Sequence, residues 1–546
     1  MPLFPSSSLT PYALYPTRLS TLATTTPILL HEAFFPLLLL FLTLLLHPEK
    51  SPLRNAIALP VIVGLYARLV ALYSSSHWGF AFCVGAYAYY GSLQAFNLLV
   101  VKDVARDPDV KWSVDDTGVA ATNGHAYTHN GHGNGTTGLR DMNGDEKHSN
   151  GSANGSANGG TYEDRDKHTA NGSSSRLGNG VANGGSHGVS NGTAGGKVSI
   201  EDGLGYPAIS SYPLKQRIRF TWSLLFASRG VGWKFQIRHI PPAPSPDTSF
   251  VSFLQTHASK ICISYVILES FSFIAAIDPY FTTPVCWTTP FHPTTLPDDE
   301  YYALCLPGFV PVNPAAIPFL WHHVFRKYLG LFSVYAILTQ LFSIAALLFT
   351  TLVPLTRPEG WVPLFGSPAD MTSLRGFWTK FWHSIFKKYF SYPGEWIAFH
   401  LLQLDRRSAG AQIIVMIAAF ANSGALHGVG CYTLNRRWKS AAGFFLLQPV
   451  GFLGEIALFK ALKAAGVDSK GVLGKTITTI YSTTWLLWCS EVFAYDFLHG
   501  GISVAEPVAL SFWRWLAGQQ AWRWDRPDEW LRWDREGSLG GWGVRL

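Results

Sequence analysis

Two short stretches hold the side chains best suited to chemistry. The first is Ala421-Asn422-Ser423-Gly424-Ala425-Leu426-His427-Gly428, near the end of a long apolar run. Ionisable side chains are costly inside such runs, so His427 is a functional candidate by default. A neutral imidazole there is suited to taking a proton from a hydroxyl. The small residues beside it would let another helix or an acyl chain approach closely. A histidine merely packed against a carbonyl fits the same stretch equally well.

The second stretch is Ser373-Leu374-Arg375-Gly376-Phe377-Trp378-Thr379-Lys380-Phe381-Trp382-His383, followed by Phe386-Lys387-Lys388. Read as a helix, it puts Trp378 and Trp382 four residues apart on one face, with Arg375 a turn earlier. Cations among indoles suit a cytosolic membrane surface that receives a phosphate-bearing substrate. An ordinary interfacial helix has the same composition.

The elements that position these residues follow from composition. The chain has 546 residues, 48% hydrophobic and only 14% charged, against about 25% charged in a soluble domain. That composition excludes a soluble globular enzyme of this size and indicates an integral membrane protein. Twenty Trp and 22 Tyr suit a chain with many membrane–water interfaces. Apolar runs of spanning length are expected at 27–46, 56–73, 78–101, 261–277, 329–353, 411–430, 441–462 and 472–489. Weaker runs lie at 397–404 and 504–516. Only Arg18 precedes the first run, and His47-Pro48-Glu49-Lys50, not a small-residue cleavage site, follows it, so 27–46 reads as an anchor and not a removed signal peptide.

The net charge of +7 comes from short clusters beside apolar runs, as in cytoplasmic loops, and does not point to nucleic acid. Six cysteines (Cys83, Cys262, Cys286, Cys305, Cys431 and Cys489) form neither a disulfide framework nor a CxxC pair, and no metal site is expected. Residues 114–197 repeat Asn-Gly from Asn123 to Asn191 and offer almost nothing apolar to bury. Such a tract is expected to be a disordered tether, and its sequons arise from the repeat itself. The C-terminus alternates Trp513, Trp515, Trp522, Trp524, Trp530 and Trp533 with Arg514, Arg523, Arg526 and Arg532. Stacking on single-stranded nucleic acid is one use of that pattern; an interfacial segment with snorkelling arginines is the expected one.

Trp361-Val362-Pro363-Leu364-Phe365-Gly366-Ser367, Ser373-Leu374-Arg375-Gly376-Phe377-Trp378 with Trp382-His383, and Ser423-Gly424-Ala425-Leu426-His427 stand in that order. Together they resemble the wax-synthase-like branch of the membrane-bound O-acyltransferases, in its fungal form. Arg229-Gly230-Val231-Gly232-Trp233-Lys234-Phe235 is similar to the segment preceding that core, and Glu455, after Gln448-Pro449, falls where such proteins often carry an intramembrane acid. The resemblance spans about Arg229 to Ser490. It departs from the family at Asn422, usually apolar, and at Phe235, where a second Trp is common.

The resemblance implies an all-α, polytopic membrane enzyme, with about eight transmembrane helices around an internal reaction chamber. It implies transfer of an acyl group from acyl-CoA, expected to be acetyl-CoA, to a hydroxyl of a hydrophobic acceptor such as a terpenoid. Long-chain wax-ester synthesis is the alternative. By resemblance His427 is the base and His383 the second polar position. Substrate contacts are expected at Trp378, Trp382, Arg375, Lys380, Ser423 and Glu455. No bound cofactor is expected; membrane lipids, acyl-CoA and the alcohol are the expected partners, in the endoplasmic reticulum membrane. The expected layout is 1–113 N-terminal helices, 114–197 tether, 198–248 interfacial segment, 249–490 core and 491–546 C-terminal segment.

Two look-alikes compete. His400 and Asp405 have the His-x4-Asp spacing of glycerolipid acyltransferases, without a companion glycine- or arginine-rich block. Trp321-His322-His323-Val324-Phe325-Arg326-Lys327-Tyr328 mimics 382–389. A transporter using His427 and Glu455 as proton carriers is a reading of another class, but no convincing internal repeat supports it.

Overall fold

The structure, a computed structural model, describes residues 24–104, 212–277, 324–352, 358–500 and 510–516, with a few gaps, and two short strands at 532–534 and 543–545. The chain divides into two units, residues 1–133 with 207–546, and residues 134–206. The second unit, the Asn-Gly tract around it, Cys286, Cys305 and His322 lie outside the described residues.

The fold is all-α. Its main helices are α1 (Leu30–Leu46), α2 (Pro52–Leu72), α3 (Trp78–Phe96), α4 (Leu214–Phe226), α5 (Phe250–Ile277), α6 (Arg326–Leu347), α7 (Lys387–Trp396), α8 (Ala409–Asn435), α9 (Lys439–Ala464) and α10 (Val472–His499). A one-turn helix, α11 (Phe512–Leu516), follows. By length and composition, five helices among the described residues can cross a membrane: α2, α5, α6, α8 and α9. α1 is apolar but shorter, at 17 residues. The outward face of α9 carries exposed Leu446, Val450, Leu453 and Ile456, a stripe that suits lipid and not water.

The helices begin and end where local chemistry directs. Ser51 accepts from Arg54 N ahead of Pro52 at the first position of α2. Ser408 accepts from Ala411 N to start α8, and Arg436 ends it in the left-handed region at φ 60°. The following turn into α9 is held from outside. Asp496 of α10 accepts from Ser440 N and Ala441 N at 2.9 and 3.0 Å, satisfying two of the free donors at the start of α9.

α8 is the central helix, packed against α3, α7 and α9. Glycines permit this. A Cβ at Gly85 of α3 would lie 2.2 Å from Val429 O, and one at Gly424 of α8 would lie 2.8 Å from Ala442 O. A side chain at Gly394 of α7 would meet Ala418 Cβ at 2.7 Å. Thr433 joins the same seam, donating to Ala81 O at 2.8 Å and accepting from Gly85 N at 3.1 Å.

Several expected boundaries move. The span expected at 261–277 begins at Phe250, because His257 and Lys260 ride on α5 despite their cost. The run expected at 472–489 continues to His499, so the boundary expected at 490 falls inside α10. The weak run at 397–404 is the π-helical end of α7, Ile397–Leu401. Of 504–516, the described part forms only the short α11. Its cap comes from another helix: Glu269 of α5 accepts from Ser511 Oγ at 2.7 Å and Trp513 N at 2.9 Å.

Candidate active site

The stretch from Ser373 is not one helix. Ser373 caps a three-residue α-turn, Leu374–Gly376, and a π-helical turn, Phe377–Phe381, follows. Trp382 then turns extended, with ψ 147°, and α7 starts only at Lys387. The physical reason is a competing set of partners for the main chain. Glu455 of α9 accepts from Leu374 N at 2.5 Å and Arg375 N at 3.1 Å, which ties the start of the turn to the bundle. Gly366 N donates to Phe381 O at 2.9 Å, which ties down its end. The two indoles still meet edge to face, with centroids 6.3 Å apart.

Each sequence motif docks on another. The buried Arg229 guanidinium donates to Val362 O at 2.6 Å and Pro363 O at 2.8 Å and lies over Phe342, 5.5 Å from its centroid. This joins the Arg-Gly-Val-Gly-Trp segment to Trp-Val-Pro-Leu-Phe. Gly230, at φ 65°, makes the turn that brings Phe235 back against it. Phe365 then packs edge to face on Trp382 at 5.4 Å and on His383 at 6.1 Å.

His427 lies on α8. Its Nδ1 is 2.8 Å from Ser423 O, one turn back in its own helix. A carbonyl only accepts, so Nδ1 carries the proton and Nε2 is left with its lone pair. The contact with the carbonyl selects the tautomer in which Nε2 can accept a proton. Around the imidazole stand Phe445 of α9, stacked at 4.3 Å, Phe493 of α10 at 5.8 Å and Phe82 of α3 at 6.2 Å.

His383 is joined to the same region through a chain of rings: it lies 5.3 Å from Trp382, which meets Trp378, which in turn lies 6.0 Å from Phe445. Burial, then His427 and Arg229, lower the His383 pKa to about 3, so the ring is neutral at every physiological pH. Its Nδ1 is buried and, among the described residues, has no hydrogen-bond partner. Both histidines are half-buried as residues.

Trp378 connects the two stretches. Its Nε1 donates to the buried Gln448 Oε1 at 3.2 Å, and its ring meets Phe420, Phe444 and Phe445 at 5.5 to 6.1 Å. Gln448 also donates to Phe444 O at 2.9 Å, so it is held on both sides. Asn422 donates to Phe390 O and Ala418 O and accepts from Tyr89. It fastens α8 to α7 and α3.

Of the expected substrate contacts, Trp378 and Trp382 line this region. Ser423 contributes its carbonyl to His427, and Glu455 is occupied by the main chain of the Leu374 turn. Arg375 and Lys380 are exposed, with Lys380 3.8 Å from Asp370. Lys388 pairs with Glu395 at 3.6 Å. Lys387 donates to Thr379 O at 3.4 Å; burial, with Arg375 nearby, lowers its pKa to about 8. Phe82, Tyr89, Phe445, Gln448 and Phe493 were not singled out by sequence as site residues, since each reads as ordinary helix filling. Among the described residues no group of three His, Cys, Asp or Glu side chains could hold a metal.

Residues 361–447 match the family model described as membrane bound O-acyl transferase family. An acetyltransferase of Rhodocybe pseudopiperita is 27% identical over 239 residues, 43% of this chain and 55% of the relative. An acetyltransferase of Humicola fuscoatra is 30% identical over 172 residues, 30% and 41% of the two chains. An O-mevalon transferase of Penicillium terrestre is 24% identical over 295 residues, 50% and 60%. The chain thus spans about half the length of the curated relatives it matches. No solved structure matches it. The matched 87 residues include Trp378, His383, Ser423 and His427, and over that stretch the chain is similar to the membrane bound O-acyl transferase family.

Proposed function

We propose that the protein transfers an acyl group, acetyl in the first instance, from acyl-CoA to a hydroxyl of a hydrophobic acceptor such as a terpenoid, in the endoplasmic reticulum membrane. The observation that carries this reading is the His427 tautomer. Nδ1 is committed to Ser423 O, so Nε2 is free to take the acceptor's proton.

In this reading the acceptor oxygen attacks the thioester carbonyl carbon as its proton passes to His427 Nε2. The tetrahedral oxyanion then collapses, the carbon–sulfur bond breaks, and the departing thiolate recovers the proton from His427. No acyl-enzyme forms. His383, neutral and deep beside His427, orients the thioester or bonds the developing oxyanion. Aromatic walls from Phe82, Phe445 and Phe493 suit a bulky apolar acceptor. Arg375, Lys380, Lys387 and Lys388 meet the CoA phosphates from the cytosolic side. The names of the relatives from Rhodocybe and Humicola favour acetyl over long-chain transfer.

Microsomes carrying the chain, given radiolabelled acetyl-CoA and a panel of hydroxylated terpenoids, are expected to release labelled ester. Esterification of a fatty alcohol by palmitoyl-CoA with no use of acetyl-CoA would replace this reading with wax-ester synthesis.

A further inference from the structure

α4 presents two different faces. Phe220, Leu224 and Leu225 are buried in the core formed with the N-terminal helices, whereas Lys215, Arg219, Trp222 and Phe226 are exposed. The exposed four stand at i, i+4, i+7 and i+11, which is one stripe of a helix. Two cations therefore lead and two aromatic rings follow, with ring centroids 4.7 Å apart. α4 carries three cations and no acid. Rings left outside a bundle, beside cations, suit a bilayer surface and not water.

Contacts with α1 set the depth of each part of the stripe. Arg217 donates to the carbonyls of Leu45 and Leu46, and Arg54 donates to that of His47. These are carbonyls that the end of a helix leaves open, so the end of α1 marks a polar boundary. Trp222 meets Phe41 edge to face at 6.2 Å, more than a turn further in along α1. The 13 residues of α4 cover about 20 Å, short of the roughly 30 Å of a hydrocarbon core. α4 thus enters one leaflet beside α1 and does not cross. Exposed Phe34, Leu38 and Leu42 of α1 continue its apolar surface. Arg54 and Arg217 are committed to carbonyls, while Lys215 and Arg219 stand exposed near the boundary.

We propose that the outer stripe of α4 is a binding site for one anionic phospholipid. Lys215 and Arg219 hold the charged headgroup, the Trp222 indole lies at the level of the glycerol esters, and an acyl chain runs past Phe226 beside α1. From Lys215 to Phe226 the stripe rises about 16 Å, close to half the thickness of a hydrocarbon core. Charge at one end and apolar surface along the rest match such a lipid. A zwitterionic headgroup brings a cation of its own and gains less from Lys215 and Arg219.

The full chain, purified in detergent with equal amounts of phosphatidylserine and phosphatidylcholine, is the sample, and native mass spectrometry counts the lipid that stays bound. Wild type is expected to retain phosphatidylserine in preference. Lys215→Gln with Arg219→Gln should weaken that binding roughly 10–30-fold, with the melting temperature in phosphatidylcholine equal to wild type. Lys215→Arg with Arg219→Lys, which keeps both charges, should keep the preference. Lys460→Gln with Lys463→Gln, at two exposed cations of α9, should change nothing. Equal retention of the two lipids, or equal losses in both glutamine pairs, overturns the site. Release of the lipid by acetyl-CoA overturns it as well, and would assign the two cations to the co-substrate.

Discussion

At His427 the proton on Nδ1 is directed at a main-chain carbonyl, so no substitution of a neighbouring side chain can remove that partner. His427→Ala is expected to reduce transfer by roughly 10²–10⁴-fold with protein level unchanged, since that is the usual contribution of a general base. His383→Ala should be severely impaired as well, whereas His322→Ala, on the look-alike stretch, should stay near wild type. Rates at saturating acyl-CoA decide between them; equal losses at 322 and 383 would assign both to structure. Lys387 gives a pH test. Its ammonium is the form that holds phosphate, and with the pKa lowered to about 8 that form is lost as pH rises through 8. The KM for acyl-CoA should therefore climb above about pH 8. Lys387→Arg, charged throughout, should flatten the profile.

Among elements, the turn at 374–381 and the α8–α9 seam carry the site. Glu455→Leu removes both acceptors of the Leu374 and Arg375 N–H groups, which should cost about 1–3 kcal/mol of stability and disorder Trp378. Thermal melting in detergent, with tryptophan fluorescence, would show both. Gly424→Val should part α8 from α9, because a Cβ there already lies 2.8 Å from Ala442 O. These two devices also mark how far the sequence could be read. Long spans such as α8 and α9 declare themselves through apolar length alone. The motif order brought His383 and His427 into one expectation because both lie in the matched stretch. The π turn was illegible, since its geometry is set by Glu455, some eighty residues away. Phe82 and Phe493 were illegible for a related reason: only packing distinguishes a phenylalanine set against His427 from one facing lipid.

For the whole molecule, the N-terminal helices and the family-matched segment form one unit. α3 lies against α8, sets Phe82 6.2 Å from His427 and fixes α8 through the Tyr89 bond to Asn422. A fragment starting at residue 249 should therefore be inactive even if it inserts, which expression of that fragment beside the full chain would check. Removing Asp115 to Gly196, by contrast, should leave insertion and transfer largely intact, because so polar a tract has no core to contribute. Normal insertion with complete loss of turnover would show that the tract does more than connect.

The carbonyl that orients His427 belongs to its own helix, while the aromatic side chains around the ring come from α3, α9 and α10. Reactivity and shape are thus inherited separately. On the proposed acyl-transfer reading, drift at Phe82, Phe445 or Phe493 can remould the surroundings of His427 without passing through a form that lacks the base. New acceptors then become reachable in single steps, and the proposed chemistry persists while the product changes.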